Sequence, residues 1–308
     1  MKKNDSNKSE KSFSSSSINW YPGHMLKTKK QIIEDLKLID VVIEILDARI
    51  PLSSVNPDIQ KIVQNKKRIV LLNKCDLADD NETAKWIKYF SNKNIVAIKT
   101  NSALGNGINQ ILEAIEKIME KEIEIAKAKG IANKRIRAII LGIPNVGKSS
   151  LINRLANKKS AEVGNRPGVT KQKQWIRLNN NIELLDTPGV LWPKFEDEKV
   201  ALNLAYTGTI KDEVIDKVEV AFNLLQILYS KHRNNLFERY KLTQEEVDNV
   251  FIDDENFFTM NLLELIAKKR GAIISGGNID EEKISAIILN DFRTGKLGRI
   301  TLERVNEE

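Results

Sequence analysis

Cysteine is nearly absent: Cys75 is the only one in 308 residues. A lone thiol excludes an internal disulfide and suits a reducing compartment. Long apolar runs are missing too. None approaches the roughly 20 residues that a membrane-spanning helix needs. The first residues lack an apolar core segment, so no signal peptide is expected. They carry Asp5 and Glu10 but no arginine, which makes a poor mitochondrial presequence. A cytoplasmic location follows as the expectation. Negative charge is in deficit, with 42 Asp and Glu against 49 Lys and Arg, a formal net charge of +7. That surplus favours a polyanionic partner, nucleic acid or an anionic membrane surface. A lysine-rich genome bias produces the same surplus, so charge gives only a lean.

What is present suits a globular chain. Hydrophobic residues make up 41% and charged residues 30%, the composition of a packed protein. The length accommodates one α/β domain with a smaller companion. Residues 1–17 are Lys, Ser and Asn with little to bury, and read as a disordered tail.

The chain is organised around Gly142-Ile-Pro-Asn-Val-Gly-Lys148-Ser149. A short apolar run, Ala138-Ile-Ile-Leu141, precedes it, and a helical pattern from Ser149 to Leu155 follows. Strand, glycine loop and helix in that order match a P-loop, GxxxxGK[ST]. Gly142 and Gly147 let the backbone curl so that successive N–H groups face one phosphate chain. The helix N-terminus adds the positive end of a dipole there. Asn145, Val146 and Ser150 belong to the same cradle. Lys148 offers a charge to the β- and γ-phosphates, and Ser149 a hydroxyl to Mg²⁺.

Three other motifs agree with it. The strand Ile182-Glu-Leu-Leu185 ends in Asp186-Thr-Pro-Gly189. The Asp186 carboxylate can hold Mg²⁺ through water, and the Gly189 N–H can meet a γ-phosphate. Between the two phosphate motifs, Gly164 to Thr170 is a polar loop, in which Thr170 can cap the metal only when a γ-phosphate is present. Upstream, Ile69-Val-Leu-Leu72 runs into Asn73-Lys74-Cys75-Asp76. The Asp76 carboxylate can accept from guanine N1–H and the 2-amino group, a donor pair that adenine lacks. Ile95 to Ile98 then leads to Asn101-Ser102-Ala103, where a backbone N–H can reach guanine O6. Four motifs, each after a strand, predict a site for GTP or GDP with Mg²⁺.

Their order is unusual. The guanine-reading pair comes before the phosphate-reading set, as if the chain entered the same sheet at a different strand. This circular permutation resembles the GTPases of ribosome assembly, and the RbgA/YlqF family in particular. The resemblance rests on Trp20-Tyr-Pro-Gly-His24-Met, Asp47-Ala-Arg-Ile-Pro-Leu-Ser53, Asn73 to Asp76, Gly142 to Ser149, Asp186 to Gly189 with Trp192 to Asp197, and Lys269-Arg-Gly-Ala272. It spans nearly the whole chain from Ile18 onward. It implies an α/β fold: a circularly permuted P-loop GTPase domain over 18–194, with a mostly parallel sheet flanked by helices, and then a small all-α, RNA-binding domain over 195–308.

The resemblance also implies a task and some roles. The task is a late step in assembly of the large (50S) ribosomal subunit, with rRNA and ribosomal proteins as partners and GTP hydrolysis stimulated by the subunit. Val190 stands where Ras-like enzymes place a water-positioning Gln, and valine cannot orient water. The family resemblance proposes His24 as the substitute. An amide at Asn145 can ligate K⁺ beside the phosphates, as resembling potassium-activated GTPases do, or it is simply a turn-forming residue. Catalysis would then rest on His24, Lys148, Thr170 and Gly189. Arg49 has the look of an arginine finger, but the family assigns it no such role and a structural pairing is expected.

Beyond Phe195 the pattern turns helical. Stripes through Leu204, Ala221, Leu228, Phe258, Leu262, Ile284 and Ile288 read as the core of a bundle. Lys268, Lys269, Arg270, Lys283, Arg293, Lys296 and Arg299 lie among helix-breaking glycines and could clamp phosphates of folded RNA; a solvated basic face is the plainer alternative. No symmetric interface can be read, so a monomer without membrane contact is expected. A GTPase in tRNA handling or signalling, and a GTP-sensing RNA chaperone with little hydrolysis, remain the alternative functions.

Overall fold

The computed structural model describes residues 23–157, 175–179, 181–187, 189, 191 and 197–305, with side chains from residue 27 onward. The lysine- and serine-rich tail lies outside them. Six strands form one sheet: β1 (Val41–Asp47), β2 (Lys67–Asn73), β3 (Val96–Lys99), β4 (Ile136–Gly142), β5 (Trp175–Arg177) and β6 (Ile182–Leu185). Their spatial order is β3-β2-β1-β4-β6-β5. Every neighbouring pair is parallel except the β5/β6 hairpin. Every residue of β1 is buried, as expected for a strand covered on both faces.

The chain lays down β1, β2 and β3 outward in one direction. It then returns to place β4 on the other side of β1, with Val41 opposite Ala138 and Ile45 opposite Gly142. The carboxyl ends flanking such a reversal are where open α/β sheets bind ligands. All four motif loops emerge from that edge, after β2, β3, β4 and β6.

Helices cover both faces. On one side α1 (Gly23–Asp35), α2 (Pro57–Val63) and α3 (Asp80–Asn92) pack through Ile32, Ile59, Val63, Trp86 and Phe90. On the other, α4 (Ile108–Ile118) and α6 (Lys148–Asn157) bury Ile108, Ile111, Ile115, Leu151 and Leu155. Starts are capped: the Asn56 side chain accepts from Asp58 N and Ile59 N with Pro57 in the first turn, and Asp79 does the same for α3. The periodicity predicts one helix over 108–128, but the structure breaks it at Met119, and α5 (Glu120–Ala128) follows. The Lys67 ammonium, reaching up from β2, takes the Ile118 carbonyl at the break and pairs with Glu122 at 2.7 Å.

After residue 197 the described chain is helical: α7 (Glu198–Tyr206), α8 (Lys217–Lys231), α9 (Arg233–Tyr240), α10 (Gln244–Asp248), α11 (Glu255–Arg270) and α12 (Glu281–Arg293). Asp197, Asp216, Thr243, Asp254 and Asp280 cap five of these starts. The predicted stripes are buried together around α8. Among the described residues no helix is long and apolar enough to cross a membrane.

The last described residues return to the sheet half. Ile300 N–H donates to the Leu77 carbonyl at 3.0 Å and Leu302 N–H to that of Arg49 at 2.8 Å. Trp86 Nε1 donates to the Glu303 carbonyl at 3.0 Å. The Glu303 carboxylate, 7% exposed, accepts from Leu52 N, Ser53 N, Ser53 Oγ and Asn203 Nδ2. Residues 300–305, expected to belong with the RNA-binding half, therefore seal the underside of the guanine loop.

Candidate nucleotide site

The phosphate loop is shaped by close approaches. At the end of β4, a Cβ on Gly142 would lie 2.6 Å from Ile45 Cγ2 and 2.8 Å from the Ile45 carbonyl. Asn145 has φ 59° and Gly147 φ 102°, the left-handed geometry that turns the loop into α6. A Cβ on Gly147 would overlap Asn73 Nδ2. The result is a cleft of about 390 Å³ lined by Ile143, Pro144, Asn145, Gly147, Lys148, Ser149, Ser150 and Gly189. The Val146 side chain is buried, so Val146 offers the cleft only its backbone.

The Asp186 loop closes the other side. A Cβ on Gly189 would lie 3.0 Å from Pro144 N, so the two phosphate motifs meet closely there. Thr187 Oγ1 donates to the Ile140 carbonyl, and Lys148 Nζ donates to that of Thr187. Burial pushes the Lys148 ammonium below the usual lysine range, while the nearby Asp186 carboxylate opposes that. Ser149, in the first turn of α6, and Asp186, just after β6, are both exposed, and β6 lies beside β4 with Ile139 registered against Leu185. One carboxylate and one hydroxyl beside phosphate oxygens make a suitable Mg²⁺ site.

Asn73 does something its motif does not advertise. Its Nδ2 donates to the Val146 carbonyl at 2.7 Å. Its Oδ1 accepts from Ser102 N at 2.9 Å, Ser102 Oγ at 2.8 Å and Thr100 Oγ1 at 3.2 Å. One buried amide thus staples the phosphate loop to both guanine loops. Asn101 is buried as well, its Oδ1 accepting from Leu104 N at 2.9 Å. Ala103 is exposed and its carbonyl accepts from Arg154. Asp76 is exposed and makes no hydrogen bond or ion pair among the described residues, as a base-reading carboxylate requires.

Lys74, at φ 59°, pairs with Asp47 at 3.0 Å. Arg49 is 1% exposed and forks onto Asp47 through Nε at 3.0 Å and Nη2 at 2.8 Å. Burial would raise the Asp47 pKa, but Arg49 and Lys74 together outweigh it and hold the carboxyl far below the usual range. Arg49 is a structural partner, not a finger aimed at phosphate.

His24 falls in the first turn of α1, its side chain outside the described residues; Thr170 and Val190 lie outside them altogether. The basic residues expected to clamp RNA are paired within the chain: Lys268 with Glu264 at 2.8 Å, Lys269 with Glu246 at 2.7 Å, Arg270 with Asp291 at 3.6 Å, Lys296 with Asp291 at 3.8 Å, Lys283 with the Gly271 carbonyl at 2.9 Å, Arg299 with Asp80, and Arg293 with Asp212 at 2.9 Å. Sequence reading also missed Gly208, whose carbonyl accepts from Asn145 Nδ2 at 2.8 Å. Nothing in a Thr-Gly-Thr turn signals that contact.

Fold and site together define a circularly permuted P-loop GTPase. A family profile described as "50S ribosome-binding GTPase" matches residues 137–255. The chain is 47% identical to ribosome biogenesis GTPase A of Bacillus pumilus over 93% of its length and 98% of that protein. It is 31% identical to the protein of that name from Thermotoga maritima, over 93% and 94% of the two chains. Its structure resembles that of GNP-bound YlqF from T. maritima, with TM-score 0.60, 27% identity, and 90% and 98% of the chains covered. The chain belongs to the ribosome biogenesis GTPase A family.

Proposed function

We propose that this GTPase acts on the immature large (50S) ribosomal subunit, through rRNA and ribosomal proteins in the cytoplasm, and couples GTP binding and hydrolysis to a late step of assembly. The observation that carries the reading is the direct contact between the phosphate loop and the helical half, Asn145 to Gly208. A nucleotide site wired to a second packed unit can report its state to whatever that unit holds. The names of its relatives, the description of the matching profile and the net charge of +7 supply the partner.

Within that reading, GTP is held by Asn73, Lys74, Asp76, Asn101, Ser102 and Ala103 at the base, and by the phosphate loop, Lys148 and Gly189 at the phosphates. Ser149, Asp186 and Thr170 hold Mg²⁺. His24 orients the attacking water. Asn145 gives its NH₂ to Gly208, which leaves its Oδ1 as the acceptor for K⁺. Residues 18–194 form the GTPase domain and 195–308 the helical, RNA-binding domain, working as a monomer.

The test is steady-state GTP turnover of the purified chain, alone and with purified large subunits, in KCl and in NaCl. Stimulation by the subunit is the expected result. Turnover indifferent to subunits, without co-sedimentation, would transfer the protein to a GTPase role away from the ribosome.

A further inference from the structure

Asn145 is exposed and carries a left-handed backbone, φ 59°, a conformation asparagine tolerates better than most residues. An exposed side chain on such a loop has no packing to set its direction. The 2.8 Å bond to the Gly208 carbonyl sets it. That carbonyl belongs to a tight turn after α7, closed by Gly208 N–H to the Ala205 carbonyl at 3.1 Å and Thr209 N–H to that of Leu204 at 2.9 Å.

One side chain clasps this turn from outside. Arg293, in the last turn of α12, donates Nε to the Tyr206 carbonyl at 3.1 Å and Nη2 to the Ala205 carbonyl at 2.8 Å. Its Nη1 and Nη2 also reach the two Asp212 oxygens at 3.0 and 2.9 Å. The fit is close: a Cβ on Gly208, at φ 73°, would lie 3.3 Å from Arg293 Nε. The planar fork spreads its donors over three nitrogens to meet two carbonyls and both carboxylate oxygens; a lysine ammonium offers three donors from a single point. The same end of α12 is gripped from the guanine side. Arg49 Nη1 donates to the Phe292 carbonyl at 3.4 Å and to that of Arg293 at 3.5 Å, and its guanidinium lies 5.2 Å from the Phe292 ring centroid. Through Asp47, Arg49 is linked to Lys74.

We infer that Arg293 is a positioning residue for GTP hydrolysis: it builds the turn whose Gly208 carbonyl holds the Asn145 side-chain amide beside the phosphates, so the seating of α12 decides where that side chain stands. The effect falls on turnover more than on GTP affinity, because Lys148, the loop amides and the base contacts do not pass through Asn145. The inference rests on the GTPase site and not on the ribosomal partner.

A double-mutant cycle decides it. GTP turnover of the full chain is measured for the wild type, Asn145→Ala, Arg293→Lys and the pair, in KCl and in NaCl, with GTP affinity and thermal midpoint followed alongside. Each single substitution should lower kcat about tenfold in KCl with GTP affinity kept within about threefold, and the pair should be no slower than Asn145→Ala alone. Losses that multiply in the pair, or wild-type turnover in Arg293→Lys, would overturn the inference. Should Arg293→Lys fold poorly, Asp212→Asn loosens the same fork from a side chain that is 43% exposed. It should slow turnover about threefold in the wild type and not at all in Asn145→Ala; equal slowing in both backgrounds would also overturn the inference. Equal wild-type rates in the two salts would remove the potassium reading and leave the cycle intact.

Discussion

At the scale of single residues, the site divides into side chains left open to a ligand and side chains that hold other loops in place. Asp76 is of the first kind: exposed, without a hydrogen bond or ion pair among the described residues, and at the mouth of β2. Exchanging it for asparagine replaces a double acceptor with a group that carries its own donor. Asp76→Asn should weaken GTP binding at least about a hundredfold and favour xanthosine triphosphate, whose C2 oxygen can accept from the new amide; competition binding with the two nucleotides checks this. Asn73 is of the second kind. Its loss leaves the Ser102 N–H and the Val146 carbonyl without their partner, each costing about 1–3 kcal/mol when buried. Asn73→Ala should therefore lower the thermal midpoint as well as GTP affinity, whereas Asp76→Asn should lower affinity alone.

At the scale of elements, two close fits govern the edge of the sheet. Gly147 combines φ 102° with an Asn73 amide already occupying the space of a Cβ. Gly147→Ala should thus open the staple between β2 and β4 and abolish measurable GTP binding, read by titration with a fluorescent nucleotide. The second fit is the segment 300–305 against the loops after β1 and β2 and against α3. Removing residues 299–308 strips the Leu77 and Arg49 carbonyls and the Trp86 indole of their partners. The truncated chain should melt at a lower temperature and show the Trp86 indole N–H exchanging freely with solvent, a signal that NMR resolves. The segment carries only the short alternation Ile300-Thr-Leu-Glu303, a pattern that fits a strand and does not announce where it docks.

At the scale of the whole molecule, Asp47 and Arg49 form a buried pair between sheet and bundle, and the pair has a pH signature. Asp47 titrates far below its unfolded value, so its contribution to stability is complete above about pH 4 and is lost as pH falls through that range. Glu303 runs the other way. Burial raises its pKa, only partly offset by the Ser53, Leu52 and Asn203 donors, so its ionised form weakens the fold at neutral pH. Acidification relieves that penalty until the unfolded value, about 4, is passed. His232, whose pKa burial lowers, opposes that gain below about pH 6.5, so the thermal midpoint should change little from pH 8 toward mild acidity and fall below about pH 4. Arg49→Met leaves Asp47 with Lys74 and the backbone N–H of residue 49 and should cost about 3 kcal/mol at neutral pH, a deficit that shrinks as acid protonates Asp47. A pH series of melting curves on both proteins checks the sign.

The sequence by itself determined the sheet, the permuted order of its motifs and the identity of the ligand. Each of those is local: a glycine loop needs its glycines adjacent, a guanine reader needs its carboxylate at a strand end, and a bundle helix carries its own stripe. Only the tertiary structure decided which polar side chains face the ligand and which face each other. Asn73 belongs to a base-reading motif and is also a staple, because Val146 and Ser102 reach it through the fold, not through the chain. Lysines and arginines that read as an RNA surface turn out to be paired with Glu264, Glu246, Asp212 and Asp291. Charge is visible in a sequence, whereas its partner is not, since pairing depends on distances that only folding sets.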